Sequence, residues 1–513
     1  MSSPAQIFSA NLIAQLASYG VEFWLAPGAR SQSLAIAAAQ IAEGDIGQLH
    51  VRVDERSLGF HALGAATTGR AQVVITTSGT AVANLHPAVL EAHHSGLPLI
   101  LLTADRPEEL RGKGANQTTN QVGIFGDAVI ECIDVAAPRE DSLDLAQQAR
   151  VLADRAIHTA INNRQPVQLN LQFVEPLSDV EPDAYEIFKT LPRQEVRREW
   201  DTFTKFPLSK NAVVIAGATA HEYVDEIMEL GLPVFAEPTS GVRHLSSSIL
   251  GYRFVLATNS PLVGQIDQII VYGKPTLSRQ VISLLRSPKV EVIVRHSQMG
   301  DFLIPENAKT LYQAIESDTA DRAWLESWQQ VSIALTPEPT NAFDRRAIIE
   351  KVWELGQDGQ LVLGASQLIR EADHYAPRRM FHVWANRGLA GIDGTIATAS
   401  GLAHATSMPV RLLLGDLAFL HDVGSLVTDP TEEEIDLQVV VVNDHGGKIF
   451  ENLEVAKTAS KSIYDRVFRT GQEFNIAQLA KAFGWQYQLV SSAAELAEAL
   501  ELRGRVIIEA RID

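Results

Sequence analysis

The sequence predicts an α/β protein of three doubly wound domains, each built on a parallel sheet. Three observations predict it. The chain has 513 residues, which at roughly 150 residues per domain suggests about three domains. Short apolar β-runs alternate with helical patterns along the chain, the signature of parallel strands covered on both faces. Hydrophobic residues make up 46 % and charged residues 20 %, values of packed globular protein that exclude a mainly disordered or collagen-like chain.

The first domain is expected over residues 1–180. Residues 5–19 carry apolar side chains at helical spacing, and Gly20 closes that helix. Strand VEFWLAP, helix SLAIAAAQIA, strand LHVRV, helix ERSLGFHALGAATTG and strand AQVVITT follow in turn. Helix TAVANLHPAVLEAHHSG, strand PLILLTA, strand VIECIDV and helix SLDLAQQARVLADRAIHTAI complete it. Residues 176–205 are polar, hold three prolines and read as a linker. The second domain, 206–325, offers strands NAVVIAG, PVFAEP, QIIVYG and VEVIVR in a Rossmann-like pattern. It lacks both G-x-G-x-x-G and G-x-x-x-x-G-K-[ST], so no nucleotide is assigned to it. A second linker contains LTPEPT at 335–340. The third domain, 341–513, has strands QLVLGA, MFHVWA, VRLLLGD, LQVVVVND and RVIIEA.

The net charge is −19, from 62 acidic against 43 basic residues, which disfavours nucleic acid and anionic membrane as partners. Cys132 is the single cysteine, so no intrachain disulfide and no site of several thiolates can form; its apolar flanks read as a buried strand. The first basic residue is Arg30 and no run of 18 apolar residues occurs, so neither a signal peptide nor a membrane span is expected. The expectation is a soluble, cytoplasmic protein.

The strongest chemical signal is RLLLGDLAFLHDVGSL followed by LQVVVVNDHGGKIFENL. Each half is an apolar β-run that stops abruptly in polar residues and glycine. In a parallel sheet both tips lie at the carboxyl edge, where ligands bind, so Asp416 and Asp444 converge there. Two carboxylates with backbone carbonyls suit a hard cation that also takes phosphate oxygens. The bland alternative is that both are helix N-caps. Glu55 begins a helix after strand LHVRV, a position that the helix dipole alone would favour. Arginines and amides recur near strand ends: PGARS (27–31), TADRP (103–107), GANQ (114–117), SQLIR (366–370) and ANRG (385–388). Ser366 and Arg370 share a helix face at i, i+4. One such arginine is commonly a surface ion pair; several at the sheet edges of an acidic protein suggest a substrate with multiple carboxylates.

G-D-x followed by N-[ND]-x-G resembles the diphosphate-anchoring motif of the thiamine-diphosphate enzymes, whose usual form is G-D-G … N-N. Leu417 stands here for Gly and Asp444 for Asn, and neither change removes a metal-binding oxygen. Together with PGARS, SGTAVANLHPAVLEA, LTADRP, GANQ, GKPTLSR (273–279), NRGLAGIDG, GDLAFLHD and NDHGGKIFENL, the chain resembles the MenD branch of that family, the menaquinone-pathway carboligases. The resemblance implies thiamine diphosphate and Mg²⁺ (or Mn²⁺) as cofactors and three-domain thiamine-diphosphate-enzyme architecture. It implies a homodimer or homotetramer with cofactor sites at the subunit interface. The implied activity is that of a transferase: decarboxylation of 2-oxoglutarate and Michael-type addition of the resulting four-carbon carbanion equivalent to isochorismate. An acetolactate-synthase-like carboligase is the alternative.

The resemblance also assigns residues. Asp416 and Asp444 would bind the metal through side chains and Gly446 through its carbonyl, with Asn443 as the other possible ligand. Leu417 and Ile449 would join these at the cofactor. Glu55 would hydrogen-bond the aminopyrimidine ring. Arg30, Gln117, Ser366, Arg370 and Arg387 would act in catalysis. Ser31, Arg106, Asn116, Arg279, Ile449 and Phe450 would line the substrate site. His61, His86, His93, His94, His421 and His445 are given no acid–base role.

Overall fold

The computed structural model describes residues 3–196, 203–295, 308–311, 313–316, 321–354 and 359–512. Among these, the strands form three larger sheets, all parallel, and one two-stranded parallel pair, Ala314–Glu316 with Phe203–Lys205. The first sheet runs in space as Leu49–Val51, Glu22–Leu25, Gln72–Thr76, Leu99–Asp105, Val167–Gln172 and Glu131–Val135. The last runs as Val383–Trp384, Gln360–Leu363, Val410–Gly415, Leu437–Asn443, Arg505–Arg511 and Gln486–Val490. Numbered within each sheet by chain order, both read 2-1-3-4-6-5. The middle sheet, Lys309–Leu311, Glu291–Arg295, Gln268–Tyr272, Ala212–Ala216 and Val234–Ala236, reads 5-4-3-1-2. In such sheets the direction of winding reverses between the first and third strands, and a crevice opens there at the carboxyl edge.

The chain divides into two compact units. One comprises Met1–Arg198, Asp393–Ser407 and Asp422–Ile435; the other comprises Glu199–Ile392, Met408–His421 and Asp436–Asp513. In the first unit the two-residue period of the strands sorts side chains to two cores. Phe23, Leu25, Val73 and Ile75 meet helices Pro4–Ala17, Gln32–Glu43 and Leu145–Asn163. Trp24, Val74, Leu99 and Leu101 meet helices Glu55–Ala66, His86–Ser95 and Thr395–Thr406 on the other face. In the second unit, helices Arg345–Glu354, Gln367–Tyr375 and Ala493–Ala499 bury Ile349, Ile369 and Leu496 against Leu363, Leu413 and Val440 of the last sheet. Among the described residues no helix is long and apolar enough to cross a membrane.

Several expectations change. Cys132 is half-buried rather than core: it lies on an edge strand, and its thiol donates to Gln168 Oε1 at 3.2 Å. The helix expected over 80–96 is two, Thr80–Asn84 and His86–Ser95, because Pro87 cannot continue a helical ladder but suits a helix's first turn. The linker 176–205 contains helix Ala184–Phe188, whose Ala184 and Phe188 are buried in the first core; residues 197–202 lie outside the described residues. MFHVWA shrinks to the two-residue strand Val383–Trp384, while strand Gln486–Val490 interleaves Gln486 and Gln488 with Tyr487 and Leu489 and offers no apolar run to announce it. Residues 296–307, 312 and 317–320 of the expected second domain, and 355–358 of the third, lie outside the described residues.

Helices Glu55–Ala66 and Thr395–Thr406 approach at backbone distance. A Cβ on Gly64 would stand 2.0 Å from the Thr398 carbonyl oxygen, and one on Gly401 would stand 1.9 Å from that of His61. Backbone cannot yield as a flexible side chain can, so Gly64→Ala is expected to destabilise by about 1–3 kcal/mol through overpacking. Urea unfolding checks this, and an unchanged midpoint would show that the helices separate freely.

Candidate functional site

The carboxyl edge of the last sheet holds a cavity of about 360 Å³. Strand Val410–Gly415 ends in Asp416 and strand Leu437–Asn443 in Asp444, so adjacent parallel strands deliver both carboxylates to it. Asp416 Oδ1 accepts the Leu417 N–H at 2.8 Å, and Oδ2 accepts the Gly446 N–H at 2.9 Å across the loop. Asp416 begins helix Asp416–His421, so it does stand at a helix start, and the bond to Gly446 adds a tie to the loop after the neighbouring strand. Burial and the neighbouring Asp444 charge raise its pKa. Gly446 has φ of +122°, and a Cβ there would stand 2.5 Å from the Arg469 carbonyl oxygen, so only glycine fits the loop. Asn443 is engaged elsewhere: its amide donates to Glu509 Oε1 at 2.9 Å, and its own oxygen accepts the His445 N–H at 3.3 Å. Ile449 and Phe450, on the 3₁₀ turn Lys448–Asn452, line the cavity half-buried rather than sitting in a helix core.

Ser366, Arg370 and Arg387 line the same cavity. Ser366 has φ 88° and ψ −135°, a region almost reserved for glycine. Its carbonyl accepts Arg370 Nη1 at 2.6 Å. Burial and the charges of Arg387, Arg253 and Arg279 lower the Arg370 pKa, so four guanidinium groups share one field that anions would relieve. Arg279 itself is exposed at the start of helix Arg279–Leu285.

The middle sheet supports this cluster. Glu237, buried at the end of strand Val234–Ala236, accepts the Thr276 N–H at 2.8 Å and the Leu277 N–H at 2.7 Å. Thr276 in turn accepts Arg387 Nε at 2.9 Å on Oγ1. Burial and the Asp373 charge push Glu237 up to about 8. Asp373 accepts the Tyr252 hydroxyl at 2.8 Å and pairs with Arg253 at 3.3 Å.

In the first unit, strand Glu22–Leu25 leads to Arg30 and Ser31, strand Gln72–Thr76 to Ser78, and strand Leu99–Asp105 to Arg106. Arg30 Nη1 donates to the Phe173 carbonyl at 3.1 Å, and Ser31 Oγ to that of Gly28 at 3.2 Å. Arg106 donates to Ser78 Oγ and, at 3.2 Å, to the Gln117 carbonyl. Gln117, at φ 54°, donates from its amide to the Ser78 carbonyl at 3.0 Å. Burial and the Arg106 charge lower the Arg30 pKa, so this edge too concentrates positive charge. Asn116 is exposed on the same loop.

Glu55 is the first residue of helix Glu55–Ala66, half-buried, while Asp54 caps that helix by accepting the N–H groups of Arg56 and Ser57 at 2.9 and 3.3 Å. Capping is therefore not the task of Glu55. A cavity of about 490 Å³ adjoins this turn, lined by Arg52, Asp54, Ser57 and residues 427–430. Buried Arg52 locks the turn in place. It donates to Glu432 Oε2 at 2.6 Å, lies 3.1 Å from His404 Nε2 and donates from Nε to His61 Nε2 at 3.3 Å. His50 stacks on Trp24 and comes within 4.0 Å of Glu432 and 3.5 Å of Glu22. His61 is a buried partner in this lock.

Sequence reasoning missed Arg345, Thr276, Glu237, Ser78, Arg52 and Glu432. Thr276 and Ser78 lie inside the motifs GKPTLSR and SGTAVANLHP, and Arg52 and Glu237 inside the strand patterns LHVRV and PVFAEP; Arg345 and Glu432 sit in stretches without local pattern.

Two outcomes follow from this geometry. Ser366→Gly relieves a backbone strain of about 1–3 kcal/mol, so its unfolding midpoint should rise while activity falls; a lower midpoint would show that Ser366 is unstrained. Burial, His50 and Arg52 lower His404 to about 3 against an ordinary 6.5, and His61 is lowered too. The unfolded chain therefore binds protons that the folded chain refuses, and stability is full above pH 6.5 and lost as pH falls toward 3. His404→Gln should flatten that loss in unfolding measurements from pH 7 downward, and an identical slope would rule out His404 as a source.

The N-terminal TPP binding domain of the thiamine pyrophosphate enzymes matches residues 8–124, and their C-terminal TPP binding domain matches residues 362–505. The chain is 40 % identical to a 2-succinyl-5-enolpyruvyl-6-hydroxy-3-cyclohexene-1-carboxylate synthase of Leifsonia xyli subsp. xyli, over 97 % of this chain and 94 % of the relative. It is 40 % identical to a synthase of the same name from Clavibacter michiganensis subsp. michiganensis, over 93 % and 90 % of the two chains. For that of Kineococcus radiotolerans the identity is 39 %, over 98 % and 94 %. The parallel-sheet α/β architecture, the two matched domains and these relatives agree: the chain belongs to the 2-succinyl-5-enolpyruvyl-6-hydroxy-3-cyclohexene-1-carboxylate synthase family of thiamine-diphosphate-dependent enzymes.

Proposed function

We propose that this enzyme, with thiamine diphosphate and Mg²⁺ (or Mn²⁺), decarboxylates 2-oxoglutarate and adds the four-carbon fragment to isochorismate in a 1,4 sense. The observation that carries the reading is the cavity where Asp416 and Asp444 face the guanidinium groups of Arg370 and Arg387. A divalent cation relieves the repulsion that, with burial, raises Asp416. Asp416, Asp444 and the Gly446 carbonyl would hold that cation, with Leu417 and Ile449 beside the cofactor. When bound, thiamine diphosphate supplies the cationic ring that accepts the electron pair left behind by CO₂.

The chain's own residues do the rest. Glu55 would hydrogen-bond the aminopyrimidine ring, from a turn that Arg52 and Glu432 keep rigid. Both substrates carry two carboxylates, and bidentate guanidinium forks suit them. By the family resemblance, Arg370, Arg387, Arg279, Arg30, Ser31, Arg106, Asn116 and Gln117 would bind them. Ser366 aims Arg370 through its carbonyl. Ile449 and Phe450 exclude water from the reacting carbon. The family layout pairs Glu55 of one copy with Asp416 and Asp444 of another, hence a homodimer or homotetramer. Substrates that are small soluble anions go with a cytoplasmic enzyme.

The test is incubation with thiamine diphosphate, Mg²⁺, 2-oxoglutarate and isochorismate, with mass identification of the product. CO₂ release from pyruvate alone, and none from 2-oxoglutarate, would favour the acetolactate-synthase-like alternative. Glu55→Gln should lower turnover by about 10²-fold or more with circular dichroism unchanged; near-normal turnover would remove Glu55 from the mechanism.

A further inference from the structure

Arg345 is the first residue of helix Arg345–Glu354. Its Nε donates to Asp444 Oδ2 at 3.2 Å, and its Nη2 donates to the same oxygen. Both side chains are largely withdrawn from water, at 22 % and 12 % exposure. Arg345 also lines the cavity that holds Asp416 and Gly446. The first turn of a helix is an unfavourable place for a cation, because the positive end of the dipole lies there. Here that turn begins with two arginines, and Arg346 has its own partner, Glu350, at 2.8 Å.

The charge of the site gives Arg345 a reason. Where the usual motif has one Asp and one Asn, a divalent cation leaves the anchoring set at +1, facing an anionic diphosphate. With Asp at both 416 and 444, the same cation leaves it at zero. Adding the guanidinium of Arg345 brings it back to +1.

We infer that Arg345 belongs to the diphosphate–metal site, as the cation that compensates for Asp444 in place of Asn. The inference rests on the cofactor reading above. It makes Arg345 a positioning and charge-balancing residue: it steadies the Asp444 carboxylate, and it attracts the diphosphate while repelling the metal. These two effects on binding have opposite signs, which a merely structural ion pair would not produce.

The experiment uses the full-length apoprotein and intrinsic tryptophan fluorescence or calorimetry. Thiamine diphosphate is titrated at saturating Mg²⁺, and Mg²⁺ is titrated alone, for wild type, Arg345→Met, Asp444→Asn and the double variant. Arg345→Met should weaken thiamine diphosphate binding about tenfold to a hundredfold and leave binding of Mg²⁺ alone equal or tighter. In the Asp444→Asn background the same change should cost clearly less, since the carboxylate that the guanidinium steadies is gone and the set stays at +1 without it. Arg345→Lys keeps the charge, should retain most of the affinity, and covers the case in which Arg345→Met fails to fold. An Arg345→Met affinity equal to wild type, or an equal loss in both backgrounds, overturns the inference. Failure of the wild type itself to bind thiamine diphosphate would instead overturn the cofactor reading, and this inference with it.

Discussion

The site depends on one constraint: parallel strands end on the same edge, so whatever follows them is crowded together. At the last sheet this brings Asp416 and Asp444 side by side, where burial and the Asp444 charge both oppose ionisation of Asp416. The surrounding structure answers that strain. The Gly446 N–H donates to Asp416 from a loop only glycine can follow, and Arg345 holds Asp444. Perturbed carboxylates of this kind cluster at binding sites.

Strand ends crowd like charges of the other sign as well, in each unit separately. Arg370 feels Arg387, Arg253 and Arg279, and Arg30 feels Arg106. Left to themselves these side chains would splay into solvent. They are held by backbone carbonyls and by a relay from the middle sheet, in which Glu237 fixes Thr276 and Thr276 fixes Arg387. The middle sheet carries no nucleotide motif, and here it acts as a brace. Tyr252 and Arg253, on the helix Tyr252–Leu256 packed beside that sheet, meet Asp373, one turn along the helix from Arg370.

The first unit meets a different demand, rigidity. Its helix Glu55–Ala66 rests on Thr395–Thr406 at a distance only Gly64 and Gly401 permit. The chain entering that helix is tied down by Arg52, whose partners Glu432 and His404 come from more than 300 residues away in sequence. Two stretches from the last third of the chain, Asp393–Ser407 and Asp422–Ile435, thereby complete the unit that carries Glu55.

The sequence by itself determined the fold class, because strand and helix periods are local and strongly written in VVIT, LLLG and QVVVVN. It also determined which polar residues follow which strands, and so the candidates Asp416, Asp444, Arg370 and Arg387, since topology converts a strand end into a site. Its motifs pointed to the same family as the relatives do. What it did not contain is partnership across distance. Cys132 looked like core because its neighbours are apolar, yet an edge strand leaves it half-exposed. Arg345 sits in a plain polar run and Glu432 among three consecutive glutamates, and nothing near either says that its partner is Asp444 or Arg52. The strain at Ser366 is likewise invisible in its letters, because it is imposed by the strand behind it and the helix ahead. Tertiary structure alone decided these, since electrostatic and hydrogen-bond partners are chosen by proximity in space, and a local sequence pattern records only neighbours along the chain.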